Sequence, residues 1–197
     1  THHWSNNMYK GYQIYYDLWK YCGNKTSKFE FTFIGKNVPE MFKEVPISGP
    51  FASHQLSDQL NKYDIYITDS KYDSCPNHVI EAISCGLPIL YTDCDGGGKE
   101  LCEKAELKIG ESYSDFNDMI KKLHMISENY QFYVDNIHKS LSVYDNSLCV
   151  NKYYSTFLRE MDNKKQYKKL ELENQTNIIT IKNNTSTNTS TNTSTNT

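Results

Sequence analysis

The sequence predicts an α/β domain, a doubly wound parallel sheet of the Rossmann-like type, followed by a disordered C-terminal tail. Three observations lead there. Apolar, β-branched and aromatic runs such as FEFTFI, DIYIT and LPILYT recur along the chain. Between them lie segments whose apolar residues follow the helical period, and strands alternating with helices at this rhythm make a parallel sheet covered on both faces. Right-handed crossovers turn that alternation into a doubly wound sheet. The third observation is a final stretch of only Asn, Thr and Ser, which has nothing apolar to bury.

Taken in order, residues 8–22 carry Met8, Tyr12, Tyr15, Leu18, Trp19 and Cys22 at helical intervals, with Lys10 in the first turn and Gly23 and Asn24 as the stop. Residues 29–34 read as a strand stopped by Gly35, and residues 45–48 as a shorter strand ending at Gly49 and Pro50. Leu56, Leu60 and Tyr63 mark a helix over 53–63, and the strand 64–68 follows at once. Pro76 suits a first helical position, because its missing N–H has no partner there anyway; that helix runs to Cys85 with Gly86 as its stop. The strand 87–92 tolerates Pro88 near its start. A short helix over 99–104, a short strand over 107–109 and helices over 115–127, 130–141 and 147–161 close the domain. Residues 1–162 are thus one Rossmann-like domain, and 163–197 a charged and then Asn/Thr/Ser-rich tail.

With 197 residues and 38% hydrophobic content, the chain supports one well-buried domain plus that tail. A net charge of -3 provides no basic field for nucleic acid. The six cysteines, at 22, 75, 85, 94, 102 and 149, contain no C-x-x-C pair and suit buried thiols in a reducing compartment. No apolar run reaches the roughly 18 residues of a membrane span, and THHWSNN is no signal peptide, so a cytoplasmic location is expected. Because the first residue, Thr1, sits inside a structural element, the chain reads as part of a larger protein.

In an open α/β sheet, ligands bind beyond the carboxyl ends of the strands. Four loops fall there, after Trp4, Phe33, Asp69 and Thr92. The third, SKYDSCPNH, leads into a helix N-terminus, where free N–H groups and the helix dipole attract an anion such as a diphosphate. Asn77 and His78 offer backbone N–H groups there, and Pro76 cannot. Asp73 precedes the helix and Glu81 lies about 7.5 Å along its axis from Pro76; a carboxylate accepts hydrogen bonds from two adjacent hydroxyls, the chemistry that grips a sugar or ribose. The fourth loop, TDCDGGGKE, lets backbone approach a ligand closely, and Lys10 brings a compact positive charge to the same rim. His2 and His3 read as chain-end residues, and His78 as a solvated first-turn side chain.

Asp73, Pro76, Glu81-Ala82, Gly86-Leu87-Pro88, Gly96-Gly97 and Glu100 together resemble the signature of the nucleotide-sugar-binding domain of group 1 (family 4) glycosyltransferases, the C-terminal half of a GT-B fold. HHWSNNMYKGY, FTFIG and DIYIT extend the resemblance over residues 1–101. It implies transfer of a sugar, of the hexosyl type, from a nucleoside diphosphate sugar to an acceptor hydroxyl, with retention and with neither metal nor cofactor. The acceptor, a glycan, lipid or protein, would be held by an upstream domain, and this chain would be the donor half, a poor catalyst alone. Carried over by position, Lys10 holds the diphosphate, Asp73 touches the donor sugar and Glu81 holds the ribose. Gly96 and Gly97 serve sugar or phosphate by backbone, and the loop bearing Gly49, Phe51 and Ala52 faces the base. Three positions depart from the family pattern: Asp73 is one methylene shorter than the usual Glu, Ser5 is nearest to where an arginine is usual, and Lys99 replaces a proline and adds charge. A non-catalytic nucleotide-sugar-binding module is the alternative. A phospho-receiver domain is a third reading, for which Asp69 is poorly placed and the glycine run has no role.

Overall fold

The computed structural model describes residues 1–94, 96–105, 107–145, 147, 150, 151 and 153–168. Residues 1–145 form one unit, built on six short parallel strands. β1 (His2–His3), β2 (Phe33–Gly35) and β3 (Ile47–Ser48) make one ladder in that order; β4 (Tyr66–Thr68), β5 (Ile89–Thr92) and β6 (Gly110–Tyr113) make another. The registers set His2 opposite Ile34, Phe33 opposite Ile47, Tyr66 opposite Ile89, and Ile89 opposite Gly110. The two ladders meet through side chains, the backbone N–H of His2 donating to the Tyr66 hydroxyl at 3.1 Å. Order therefore runs β3-β2-β1 and then β4-β5-β6, the doubly wound arrangement with its turning point between β1 and β4.

Strand side chains alternate between faces, and here each face meets its own helices. Phe33, Ile67 and Leu90 join Tyr12, Tyr15 and Leu18 of α1 (Tyr12–Cys22) and Met119, Leu123 and Ile126 of α5 (Phe116–Glu128). Their chain neighbours Ile34, Tyr66 and Ile89 point the other way. They pack with Leu56 and Leu60 of α2 (Ser53–Leu60), Val79, Ala82 and Ile83 of α3 (Asn77–Ser84), and Cys102 of α4 (Gly97–Lys104). Ile137 of α6 (Tyr130–Ser140) completes this second core. Burial on both faces is why both neighbours in each of these pairs are apolar. Residues 146–197 form a second unit, in which residues 147, 150, 151 and 153–168 are helical. That helix continues past the expected end at 161 into the charged stretch, and the rest of the expected disordered tail, 169–197, lies outside the described residues. Among the described residues no helix is long and apolar enough to cross a membrane.

Several expected boundaries shift, each for a local reason. The first helix begins at Tyr12, because Met8–Lys10 is a 3-10 turn that Gly11 breaks at φ +86°. Of the expected strand 29–34 only Phe33 and Ile34 are ladder-paired, and the expected stop, Gly35, extends the strand by one, since β1 and β3 contribute two residues each. Pro76 is the N-cap of α3 and Asn77 its first residue, while α4 starts two residues early, at Gly97. The last strand is Gly110–Tyr113, not 107–109. Its sequence, GESY, looks polar because the buried Glu111 has its charge met locally: Lys108 and Tyr133 bond one carboxylate oxygen, and Lys122 lies 3.4 Å from the other.

Gly110 sits where β6 crowds β5. A β carbon there would lie 1.9 Å from the Ile89 carbonyl oxygen, whereas one at Gly98 would meet nothing within 4 Å. Gly110→Ala is expected to cost at least about 2 kcal/mol in urea unfolding, and Gly98→Ala to stay within about 1 kcal/mol of the parent. Similar midpoints for both variants would contradict this packing.

Candidate functional site

The loops after β1, β4 and β5 converge at the carboxyl edge of the sheet. Lys10 closes the 3-10 turn that follows β1, and its ammonium pairs with the Asp73 carboxylate from the loop after β4. Gly11 makes this placement possible. A β carbon there would come 2.3 Å from the Asp69 β carbon, so only glycine lets the turn press against the end of β4 at its positive φ. Asp73 is held from several sides: Ser70 Oγ donates to Oδ2 at 3.4 Å and the Cys75 N–H to Oδ1 at the same distance. Its own carbonyl accepts the Gly97 N–H at 2.8 Å, which ties the fourth loop to the third. Burial alone would raise the Asp73 carboxyl, but the hydrogen bond and charge of Lys10 outweigh it and hold the group below the usual aspartate range.

Glu81 lies on α3, 45% exposed, and accepts a hydrogen bond from His2 Nε2 at 2.8 Å. The α3 N-terminus opens toward Asp73, and the Asn77 N–H is engaged by the Cys75 carbonyl at 2.9 Å. Lys99 pairs with Asp93 at 2.7 Å on the rim of the fourth loop. With Ser74, Cys94, Gly96, Gly97 and Glu100 it borders an open depression of about 640 Å³. Ser5 makes local contacts: its hydroxyl accepts the Asn7 N–H at 3.2 Å and its carbonyl accepts the Tyr12 hydroxyl. Gly49, in a cis peptide with Pro50, leads from β3 into α2; Phe51 packs on the core, and the Ala52 N–H donates to Gln55 Oε1 at 3.2 Å. The structure thus joins Lys10, Asp73 and Gly97 directly, while Ser5 bonds within residues 5–12 and the Gly49 loop packs Phe51 on the core. Among the described residues no group of three or more His, Cys, Asp or Glu side chains is placed to hold a metal ion.

The histidines differ most from expectation. His2, His3 and His78 are all buried, at 1%, 3% and 8% exposure, and not solvated or chain-end residues. His78 turns inward from the first turn of α3 to Thr68 Oγ1 at 3.1 Å, and its ring centre lies 4.7 Å from that of His3. His3 bonds the Tyr15 hydroxyl at 3.0 Å, and His2 Nδ1 the Tyr66 hydroxyl at 3.1 Å. Burial pushes all three imidazoles toward the neutral form, His78 down to about 3. The one sequence signal for this was position: HH stands in a strand, and a strand buried on both faces has no exposed side. Asp69, also buried, accepts the Tyr113 hydroxyl at 3.0 Å and has Lys71 at 3.8 Å; burial raises its carboxyl, and these partners oppose the rise.

Comparison with known proteins adds three findings. The family model for glycosyl transferases group 1 matches residues 4–128. An uncharacterized glycosyltransferase of Haemophilus influenzae is 25% identical over 141 residues, which is 67% of this chain and 40% of that protein. The crystal structure of TarM is similar with a TM-score of 0.60 and 17% identity, covering 79% of this chain and 34% of the TarM chain, a likeness of fold. The chain spans less than half the length of either protein.

The buried imidazoles carry a pH dependence whose sign is fixed. Their folded pKa values lie below the ordinary value, so below pH ~6.5 the unfolded chain binds protons that the folded chain refuses, and stability falls as pH falls. The loss attached to His78 continues to about pH 3. Each such histidine contributes a slope of about 1.4 kcal/mol per pH unit. Urea unfolding between pH 7.5 and 5 is expected to show this decline, and His78→Gln to make it shallower by about one proton. A flat profile over that range would refute the buried, neutral assignment.

Proposed function

The chain belongs to the group 1 glycosyl transferases, and from that membership we propose that it is the donor-binding half of an enzyme that moves a hexosyl group from a nucleoside diphosphate sugar to an acceptor hydroxyl, with retention and without a metal. The observation that carries this reading is the Lys10–Asp73 pair at the carboxyl edge of the sheet, beside the N-terminus of α3. An ammonium has three N–H donors. One serves Asp73, and two remain for diphosphate oxygens.

As the bond between the anomeric carbon and the diphosphate oxygen breaks, negative charge grows on the leaving group. A positioned ammonium and a helix N-terminus stabilise that charge without reorganising, which is the main electrostatic demand of the reaction. Asp73 then accepts from donor-sugar hydroxyls and Glu81 from the ribose. Gly96 and Gly97 offer close backbone approach, and the loop of Gly49, Phe51 and Ala52 receives the base. Asn77 and His78 belong to the first turn of the helix that faces the phosphates, and Lys99 adds a second positive charge on that rim. Ser5, at the position where the family pattern has an arginine, supplies a hydroxyl and no charge.

The acceptor, whether glycan, lipid or protein, is assigned to an upstream domain, in keeping with the 40% and 34% of its relatives that the chain spans. In that reading the chain works in the cytoplasm and needs the upstream half for turnover. One observation favours the second reading, a non-catalytic nucleotide-sugar-binding module: the Lys10 charge is already matched by Asp73, and no arginine stands at Ser5.

Calorimetry with UDP, GDP and their sugars tests the proposal, and no binding of any of them would sink it. Lys10→Ala is expected to weaken UDP or GDP binding about 10- to 100-fold, the worth of a charge-assisted hydrogen bond, while uridine and guanosine change less than about threefold. Asp73→Asn frees Lys10 and leaves diphosphate affinity equal or higher, yet lowers turnover once the upstream domain is present. EDTA should leave binding unchanged. Turnover that stays absent with the upstream domain restored would select the non-catalytic module.

A further inference from the structure

Glu81 is half-exposed on a helix, where a lone carboxylate would sample several rotamers in water. Here its Oε2 is fixed from below by His2 Nε2 at 2.8 Å. His2 is itself fixed: the Tyr66 hydroxyl lies 3.1 Å from Nδ1 and accepts the His2 backbone N–H at 3.1 Å. Because a carboxylate only accepts, Nε2 carries the ring proton and donates to Glu81, which leaves Nδ1 to accept from the Tyr66 hydroxyl; the His2 carbonyl, at 3.5 Å, is the weaker alternative for that proton. Tyr66, Trp4 and His78 enclose the ring, with centroids 5.5, 5.7 and 6.0 Å away.

We propose that His2 and Tyr66 are positioning residues for Glu81, a buried relay that holds its carboxylate in the one orientation able to accept from both hydroxyls of a nucleotide ribose, and so sets the preference for ribo- over 2′-deoxyribonucleotides. The inference rests on the ribose role of Glu81. A pre-oriented carboxylate loses little freedom on binding and therefore discriminates more sharply than one that must be ordered by the ligand. Tyr66 belongs to β4 and His2 to β1, so the relay places the specificity of the site on the junction between the two half-sheets.

The test titrates the full chain and four variants, Glu81→Ala, His2→Ala, His2→Gln and Tyr66→Phe, with UDP, GDP and their 2′-deoxy analogues by calorimetry. The ratio of ribo to deoxy affinity is the readout. The parent is expected to prefer the ribonucleotide about tenfold or more, and Glu81→Ala to abolish that preference. His2→Ala and Tyr66→Phe should cut the ratio at least about threefold, and His2→Gln, which keeps an amide donor, should recover most of it. Should His2→Ala fail to fold, Tyr66→Phe, which removes one hydroxyl, gives the same reading. A Glu81-dependent preference that survives in both His2→Ala and Tyr66→Phe overturns the relay alone, as does an equal loss for ribo and deoxy ligands, the mark of a merely structural role. A preference unaffected by Glu81→Ala overturns the ribose assignment and the relay with it.

Discussion

The site depends on a seam between β1 and β4 where side chains, and not a backbone ladder, join two half-sheets. Burying three imidazoles, a tyrosine and a threonine at such a seam is unfavourable unless their polar groups find partners. Each of these side chains has at least one. His2 bridges Tyr66 and Glu81, His3 bonds Tyr15, and His78 bonds Thr68. The Tyr15 hydroxyl in turn accepts the Asp69 N–H at 2.8 Å, and Asp69 accepts Tyr113. One connected network thus reaches from β1 through α1 and β4 to β6, and such networks specify a unique arrangement because a partial one is costly.

That network fixes the rim. Asp69 ends β4 against Gly11, so the turn that carries Lys10 has one place to go. Lys10 then meets Asp73, and the Asp73 carbonyl receives Gly97. Three loops that follow three different strands are positioned by contacts with one another, so a charge introduced in one is felt in the others. The N-terminus of α3 lies beside all of them, which concentrates positive potential where a diphosphate is proposed to bind.

Much of this was legible in the sequence, and the exceptions share a cause. Phe33 and Ile34, Tyr66 and Ile67, and Ile89 and Leu90 announce strands buried on both faces because both neighbours in each pair are apolar. The residues proposed for the site stood out through their types and spacing, Lys10 before Gly11, Asp73 before a proline-led helix, and a glycine run. Glu111 hid β6, because a carboxylate reads as exposed unless Lys108, Lys122 and Tyr133 are known to surround it. His2, His3 and His78 read as bland for the same reason: burial of a polar side chain is decided by partners far away in sequence, Tyr66 and Glu81 in the case of His2.

The sequence by itself determined the alternation of strand and helix, the doubly wound class and the loops that gather at the carboxyl edge of the sheet, since these follow from local periodicity and turn residues. Only the tertiary structure decided that Lys10 is already paired with Asp73, that the Gly97 N–H is spent on the Asp73 carbonyl, and that Glu81 is anchored by a buried histidine. Hydrogen bonds and ion pairs between residues 24 to 79 positions apart leave no local trace in the chain, because each partner satisfies local rules without the other. Their geometry exists only once two half-sheets have met.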